Sequence, residues 1–203
     1  ISTHGRSFWI MDNLSPLHQV DDQVGVKEMH LYAPEAAYHI NPSRGGDAED
    51  REPEGKTGGA AIDYYFKDKP DTTITLDILD AKGELIRSFT TDSAWSKDHD
   101  EPVLPVKEGH TRFHWDMLST GVDTLGEVIF WETSSIEGLQ ALPGTYQVRL
   151  SVAGREAQTR SLEVRLDPRA EDVTLEDLKI RHELARQVQD SLNQVYDAIR
   201  TIR

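Results

Sequence analysis

One run, residues 143–152, constrains the fold of this chain more than any other stretch. Its apolar side chains recur at every second position and polar side chains fill the places between them. The apolar members are Tyr146, Val148, Leu150 and Val152. A β-strand places successive side chains on opposite faces, so the pattern predicts a strand with one buried and one solvated face. The turn-forming pairs Pro143-Gly144 and Ala153-Gly154 bound it.

The same alternation recurs in other segments between residues 60 and 167. They are residues 61–66, 72–79, 84–91, 110–116 and 155–166, with a weaker seventh segment at 103–106. Turn formers bound each one, as Asp80 and Gly83 do between the second and third segments, and no helical pattern interrupts them. Strands of this kind predict two packed antiparallel sheets, so we expect a mainly β fold, a β-sandwich.

The period of the pattern changes after residue 167. Thr174, with Asp177 three positions later, predicts a helix start through a capping box. Apolar side chains then recur at alternating spacings of three and four, at Ala185, Val188, Leu192, Val195, Ile199 and Ile202. This spacing is typical of a coiled-coil seam and equally of an amphipathic helix packed on the sandwich. The sequence therefore predicts a long C-terminal α-helix and leaves its partner open, self-association included.

Charge and composition exclude several classes of function. The 22 basic and 36 acidic residues give a net charge of −14, which opposes binding to nucleic acid or anionic lipid. No apolar run approaches the roughly 18 residues that cross a bilayer, so we expect no membrane insertion. The sequence contains no cysteine, which excludes disulfides, thiolate metal sites and a cysteine nucleophile.

An ordered string near the amino end resembles the closing stretch of the propeller in large bacterial proteins related to sortilin and to bacterial-neuraminidase-repeat (BNR) glycosidases. The string is Thr3-His4-Gly5-Arg6-Ser7-Phe8-Trp9-Ile10-Met11-Asp12-Asn13-Leu14-Ser15-Pro16-Leu17. The resemblance implies that residues 1–16 are the remnant of a last propeller strand. Residues 17–59 then form a linker with a long acidic loop, because residues 45–55 hold almost only Gly, Pro and charged side chains.

Three short strings resemble the immunoglobulin-like domain of flagellar hook-capping proteins, which is also appended to secreted bacterial enzymes. They are Asp80-Ala81-Lys82-Gly83, Phe113-His114-Trp115-Asp116 and Leu142-Pro143-Gly144-Thr145-Tyr146. The resemblance implies an immunoglobulin-like antiparallel β-sandwich over residues 60–167, followed by the C-terminal helix over 168–203. It also implies a secreted or periplasmic location, the parent propeller as a partner, and an accessory role without catalysis, any hydrolase activity belonging to that propeller.

No residue cluster in the sequence predicts a catalytic site, a metal site or a cofactor. His99 lies among acidic residues of one turn, which cannot converge on one ion. Trp115 alternates with Phe113 and is predicted to lie in the core. Trp95 and Trp131 lie in loop-like stretches and are the candidates for contact with a glycan. The expected function is a non-catalytic interaction module of a BNR-repeat glycosyl-hydrolase-like protein, with a carbohydrate-binding module as the alternative and an independent hydrolase disfavoured.

Overall fold

The computed structural model describes residues 13–39, 59–122, 137–168, 170 and 172–202. The fold is mainly β, with two sheets and a long C-terminal helix. The strands are β1 (Met29–Leu31), β2 (Ala37–His39), β3 (Ala60–Phe66), β4 (Ile74–Leu79), β5 (Leu85–Thr90), β6 (Gly109–Trp115), β7 (Gly144–Val152) and β8 (Gln158–Leu166). The helices are α1 (Ser15–Gln19), α2 (Ser93–Asp98) and α3 (Leu175–Ile202). None of the described helices has the length and apolar character that would carry it across a membrane.

The strands form two sheets that share one hydrophobic core. Sheet I has the order β1-β3-β6 and sheet II the order β2-β8-β7-β4-β5. All pairs are antiparallel except β2 and β8, which run parallel. The core between the sheets is continuous and includes Ile62 and Trp115 from sheet I and Leu76 and Leu150 from sheet II.

The alternation of apolar residues predicted the core correctly along the long strands. Tyr146, Val148, Leu150 and Val152 of β7 are all buried, as expected from their period of two. Trp115 is fully buried, which confirms it as a core residue. Each buried side chain of this size contributes about 2 kcal/mol of hydrophobic stabilisation before conformational entropy is counted.

Two strands begin before residue 60, within the segment that the sequence suggested as a linker. β1 pairs antiparallel with β3, and β2 pairs parallel with β8, so residues 29–31 and 37–39 belong to the sheets. The segment at 103–106 is not a strand, although Leu104 is buried and its backbone N–H donates to the carbonyl oxygen of Thr90 at 2.8 Å. Residues 1–12 of the expected propeller-strand remnant, the acidic loop at 45–55 and Trp131 lie outside the described residues. Within the described end of that remnant, Ser15 and Pro16 lie in helix α1.

Candidate interaction surfaces

The outer face of sheet I carries polar and aromatic side chains. Residues 62, 64 and 66 of β3 are buried in the core, so the alternate residues 61, 63 and 65 face outwards. By the same rule residues 110, 112 and 114 of β6 share that outer face. The antiparallel register sets Asp63 opposite Arg112 and Tyr65 opposite His110. Strands that are distant in the sequence thus bring an acid, a guanidinium and an imidazole together.

Asp63 lies at the centre of this group. Its Oδ1 accepts hydrogen bonds from His110 Nε2 at 2.7 Å and from Arg112 Nε at 2.9 Å. Its Oδ2 accepts a third bond, from Arg112 Nη2 at 3.2 Å. The Asp63 carboxylate is buried, whereas the Arg112 side chain is 29% exposed. Paired donors replace the water that a buried carboxylate loses, and the same bonds hold the guanidinium in one orientation.

Two further rings border this group. Tyr32 packs edge-on against His30, with ring centroids 4.7 Å apart, and its centroid lies 6.0 Å from that of His110. Burial raises the pKa of Tyr32 and lowers the pKa of His30. The neutral imidazole that results offers one donor and one acceptor. We call His30, Tyr32, Asp63, His110 and Arg112 the sheet I cluster.

Residues 13–19 lie against the sheet I cluster. Arg112 Nη2 donates a hydrogen bond to the carbonyl oxygen of Asn13 at 3.2 Å. At the end of α1, Gln19 Nε2 donates to the carbonyl oxygen of Ala33 at 2.9 Å, and Gln19 Oε1 accepts from the Ala33 N–H at 2.8 Å. Pro16 of α1 is buried. Bonds at both ends therefore hold this segment on the β-sheets, and Asn13 marks where the chain meets the cluster.

The start of α3 has the capping box that the sequence predicts. The Asp177 N–H donates to Thr174 Oγ1 at 3.2 Å, and Asp177 Oδ2 accepts from the Thr174 N–H at 3.0 Å. The Thr174 hydroxyl also donates to that carboxylate, and these bonds lower the pKa of Asp177. Reciprocal bonds of this kind satisfy backbone donors that a helix start leaves open, so the predicted capping box is confirmed.

One face of α3 packs on the rest of the chain. Leu178 and Tyr196 are buried, and Tyr196 forms a small apolar cluster with Val122, against which Leu192 and Ile199 pack. Two polar contacts lie on the same face. His182 Nδ1 donates to the carbonyl oxygen of Gln140 at 3.2 Å, and Gln189 Nε2 donates to that of Thr120 at 3.1 Å. The amphipathic-helix interpretation therefore accounts for this face.

The second face of α3 is apolar and exposed. Its large side chains are each at least 53% exposed: Ile180, Leu184, Val188, Val195 and Ile202. The seam predicted from the sequence is thus divided between two faces. Leu192 and Ile199 pack on the domain, whereas Val188, Val195 and Ile202 do not. Exposed apolar stripes of this extent are typical of surfaces that bind another protein.

A small cavity of about 60 Å³ separates the amino-terminal half of α3 from the sheets. Its lining includes His39, Leu142, Leu178, Arg181 and His182. His39 is buried, and its Nδ1 donates to the carbonyl oxygen of Ala141 at 2.7 Å. The cavity lies where the first turns of α3 meet the segment 139–142 and the end of β2.

Trp95, a candidate for glycan contact, lies in α2 rather than in a loop. Asp92 caps this helix, because its Oδ1 accepts from the N–H groups of Ala94 and Trp95 at 2.9 and 3.3 Å. The indole is partly buried and stacks on the His99 ring, with centroids 4.1 Å apart and an interplanar angle of 15°. One face of the indole is therefore covered by the imidazole. The other candidate, Trp131, lies outside the described residues.

The sheet I cluster is suited to recognition through hydrogen bonds. Arg112 presents fixed donors, and His110 is 46% exposed beside it. Sequence patterns did not single out this cluster, although alternation along β3 places the charged Asp63 on the face opposite the core residues. Within the described ranges, no group of three or more His, Asp or Glu is placed to hold a metal ion.

Neither a comparison with protein-family models nor one with curated proteins found a match for this sequence. The functional argument therefore rests on the surfaces just described and on the short motifs in the sequence.

Proposed function

We propose that this chain is a non-catalytic interaction module from the C-terminal end of a larger BNR-repeat glycosyl-hydrolase-like protein. The observation that carries the proposal is the contact between Arg112 and the carbonyl oxygen of Asn13. It brings Asn13, which belongs to the propeller-like string, to the outer face of sheet I. On this proposal, the sheet I cluster is the surface that the parent propeller contacts.

The cluster is pre-organised for such a partner. Asp63 holds the Arg112 guanidinium in place before binding, so little side-chain entropy is lost when a partner accepts its remaining hydrogen bonds. Arginine and aromatic rings are also the residue types enriched at protein interfaces. A propeller rim, which offers loop carbonyls and carboxylates, is a matching surface.

The strand arrangement supports an immunoglobulin-like sandwich for the module. In that fold one sheet contains the third, sixth and seventh strands, and the first, second and fifth lie in the other. With the three-residue β2 set aside, the third, sixth and seventh strands (β4, β7 and β8) lie in sheet II, and the first, second and fifth (β1, β3 and β6) lie in sheet I. The fourth strand, β5, departs from the constant-type arrangement, because it also lies in sheet II. An immunoglobulin-like domain also has a tyrosine near the start of its sixth strand that bonds backwards to the backbone. Tyr146, near the start of β7, donates its hydroxyl to the carbonyl oxygen of Leu142 at 2.8 Å.

Binding in trans tests the interaction function. The part of the parent chain that precedes residue 1, produced separately, should bind this chain, and Arg112→Lys should weaken binding about 10-fold to 100-fold. Lysine keeps the charge beside Asp63 but loses the bidentate geometry, and hydrogen bonds to charged groups are worth about 1.5 to 3 kcal/mol. Calorimetric titration measures the change.

The matched control is Arg186→Lys on α3. Arg186 also bonds to carboxylates, Glu183 and Asp190, but lies far along the chain from the cluster and on an exposed helix face. It should leave the affinity unchanged. Upstream coding sequence without propeller repeats, or a propeller that binds Arg112→Lys as tightly as the original chain, would refute the proposal.

Carbohydrate binding is the alternative function. Its support is the partly exposed indole of Trp95, an aromatic ring of the kind that packs against sugars. If the chain is an interaction module, it should bind no glycan on an array through Trp95. The Trp95→Ala variant should then give the same result as the original chain. A glycan whose binding disappears with Trp95→Ala, or with Trp131→Ala, while thermal stability falls little, would favour the carbohydrate-binding module.

A further inference from the structure

The exposed face of α3 has the composition of a coiled-coil seam. At about 100° per residue, Ile180, Leu184, Val188, Val195 and Ile202 fall within an arc of about 80°. Ser191 and Ala198 lie in the same arc, so small side chains alternate with larger ones. Val188, Val195 and Ile202 are seven residues apart, and so are Leu184, Ser191 and Ala198. These two series correspond to the a and d positions of a heptad.

The residue types at these positions favour a parallel pair of helices. All three residues of the first series are β-branched, whereas the second series is Leu184, Ser191 and Ala198, with leucine in the first heptad only. β-branched residues at a with leucine at d favour two-stranded parallel coiled coils. The seam begins at Leu184, because the preceding a position is Arg181, which lines the cavity between α3 and the sheets.

Charge on α3 is compatible with pairing between identical chains. The flank of the seam that faces away from the sheets carries Ile180, Gln187, Gln194 and Thr201, none of them charged. Two copies would therefore bring no like charges together along this flank. Residues 175–202 contain five acidic and four basic side chains, so α3 contributes little to the net charge of −14. Arg186 pairs with Glu183 and Asp190, and Arg200 with Asp197, within the same helix.

We propose that the exposed face of α3 is the interface with a second copy of this chain, with the two helices parallel and in register. The packed and exposed faces of α3 lie roughly 110° apart around the helix axis. A two-fold axis along parallel helices then places the two β-domains on opposite sides of the pair. Antiparallel helices would place both domains on one side, with axes only about 8 to 10 Å apart. A five-stranded sheet is about 20 Å wide, so two such domains have more room on opposite sides of the pair than on one side.

The interface is small, so the dimer should be concentration-dependent. The seam from Leu184 to Ile202 is about 27 Å long. We therefore expect the interface to bury an area at the lower end of the range for specific protein–protein interfaces. We expect the average molecular mass to rise from that of one chain towards that of two chains at micromolar protein concentrations. In high salt the rise should occur at a lower protein concentration, because salt screens the repulsion between the negatively charged chains. This proposal does not depend on the identity of the parent protein or on the sheet I cluster.

Single cysteines provide a direct test, because the chain contains none. In a parallel, in-register pair identical positions meet, so Leu184→Cys and Ser191→Cys should each form a disulfide-linked dimer on mild oxidation. Asp197→Cys, on the opposite side of α3, is the matched control and should stay largely monomeric. Cross-linking at Ser191 without cross-linking at Leu184 would overturn the parallel arrangement.

Sedimentation of variants without cysteine completes the test. Val195→Asp should abolish the dimer, and thermal unfolding should change by no more than a few degrees because Val195 is exposed and lies outside the packed face. A chain that stays monomeric up to several hundred micromolar overturns the proposal. The chain could also stay monomeric, with α3 protected from hydrogen exchange only in a longer form of the protein. That result would assign the exposed face to another segment of the protein and would also overturn the proposal.

Discussion

Trp115→Ala should lower the free energy of unfolding by about 3 to 5 kcal/mol, which is a large part of the stability of a domain of this size. Trp115 ends β6 and is fully buried between the sheets. Its Nε1–H donates to the carbonyl oxygen of Leu118 at 2.8 Å, and its ring packs edge-on against Tyr146 with centroids 5.7 Å apart. Alanine would leave a cavity and an unpaired carbonyl group. Urea unfolding followed by far-ultraviolet circular dichroism measures the loss.

Two variants show whether the loss comes from core packing. Trp115→Phe keeps a ring in the core and removes the hydrogen bond to Leu118, so it should cost about 1 to 2 kcal/mol. Trp95→Ala removes a partly exposed indole and should cost about 1 kcal/mol. If Trp115→Ala costs no more than Trp95→Ala, Trp115 does not lie in the shared core.

Gly59→Ala should destabilise the chain by about 2 to 5 kcal/mol, although it adds a single methyl group. Gly59 precedes β3 with a φ of +110°, where side chains are strained. A Cβ atom there would lie 2.2 Å from the carbonyl oxygen of Trp115, so backbone rather than a side chain would have to move. We combine about 1 to 2 kcal/mol for the backbone conformation with about 1 to 3 kcal/mol for the steric overlap.

Gly83→Ala is the matched control for that substitution. Gly83 lies in the turn between β4 and β5 with a φ of +87°, and no atom lies within 4 Å of an added Cβ. It should therefore incur only the conformational cost of about 1 to 2 kcal/mol. Equal losses for the two variants, measured by the same urea titration, would mean that the close approach of Gly59 to Trp115 is absent in solution.

The long strands were predictable because their information is local. An apolar period of two over six or more residues predicts both that a strand forms and which of its faces is buried, as in Tyr146 to Val152. β2 has three residues, Ala37, Tyr38 and His39, and exists through its parallel pairing with β8. A strand that short has no period of its own, so only the distant partner could show it.

The sheet I cluster illustrates a different limit. Alternation places Asp63 on the outer face of β3 and Arg112 on the outer face of β6, and both facts are visible in the sequence. Their contact depends on the register that sets residue 63 opposite residue 112. A shift of the register by one residue would turn Arg112 towards the core, and the sequence of neither strand specifies that register alone.

For α3, the sequence by itself determined the helix, its capping box at Thr174 and Asp177, and the spacing of its apolar side chains. These features depend on contacts within four residues along the chain. The tertiary structure alone decided which apolar residues are covered. Two neighbouring arcs of the helix carry apolar residues, and Val122 packs against the arc of Leu192 and Ile199. Val188 and Val195 are exposed because they point away from that contact. The spacing of three and four residues is the same for both arcs, so it does not specify which arc is covered.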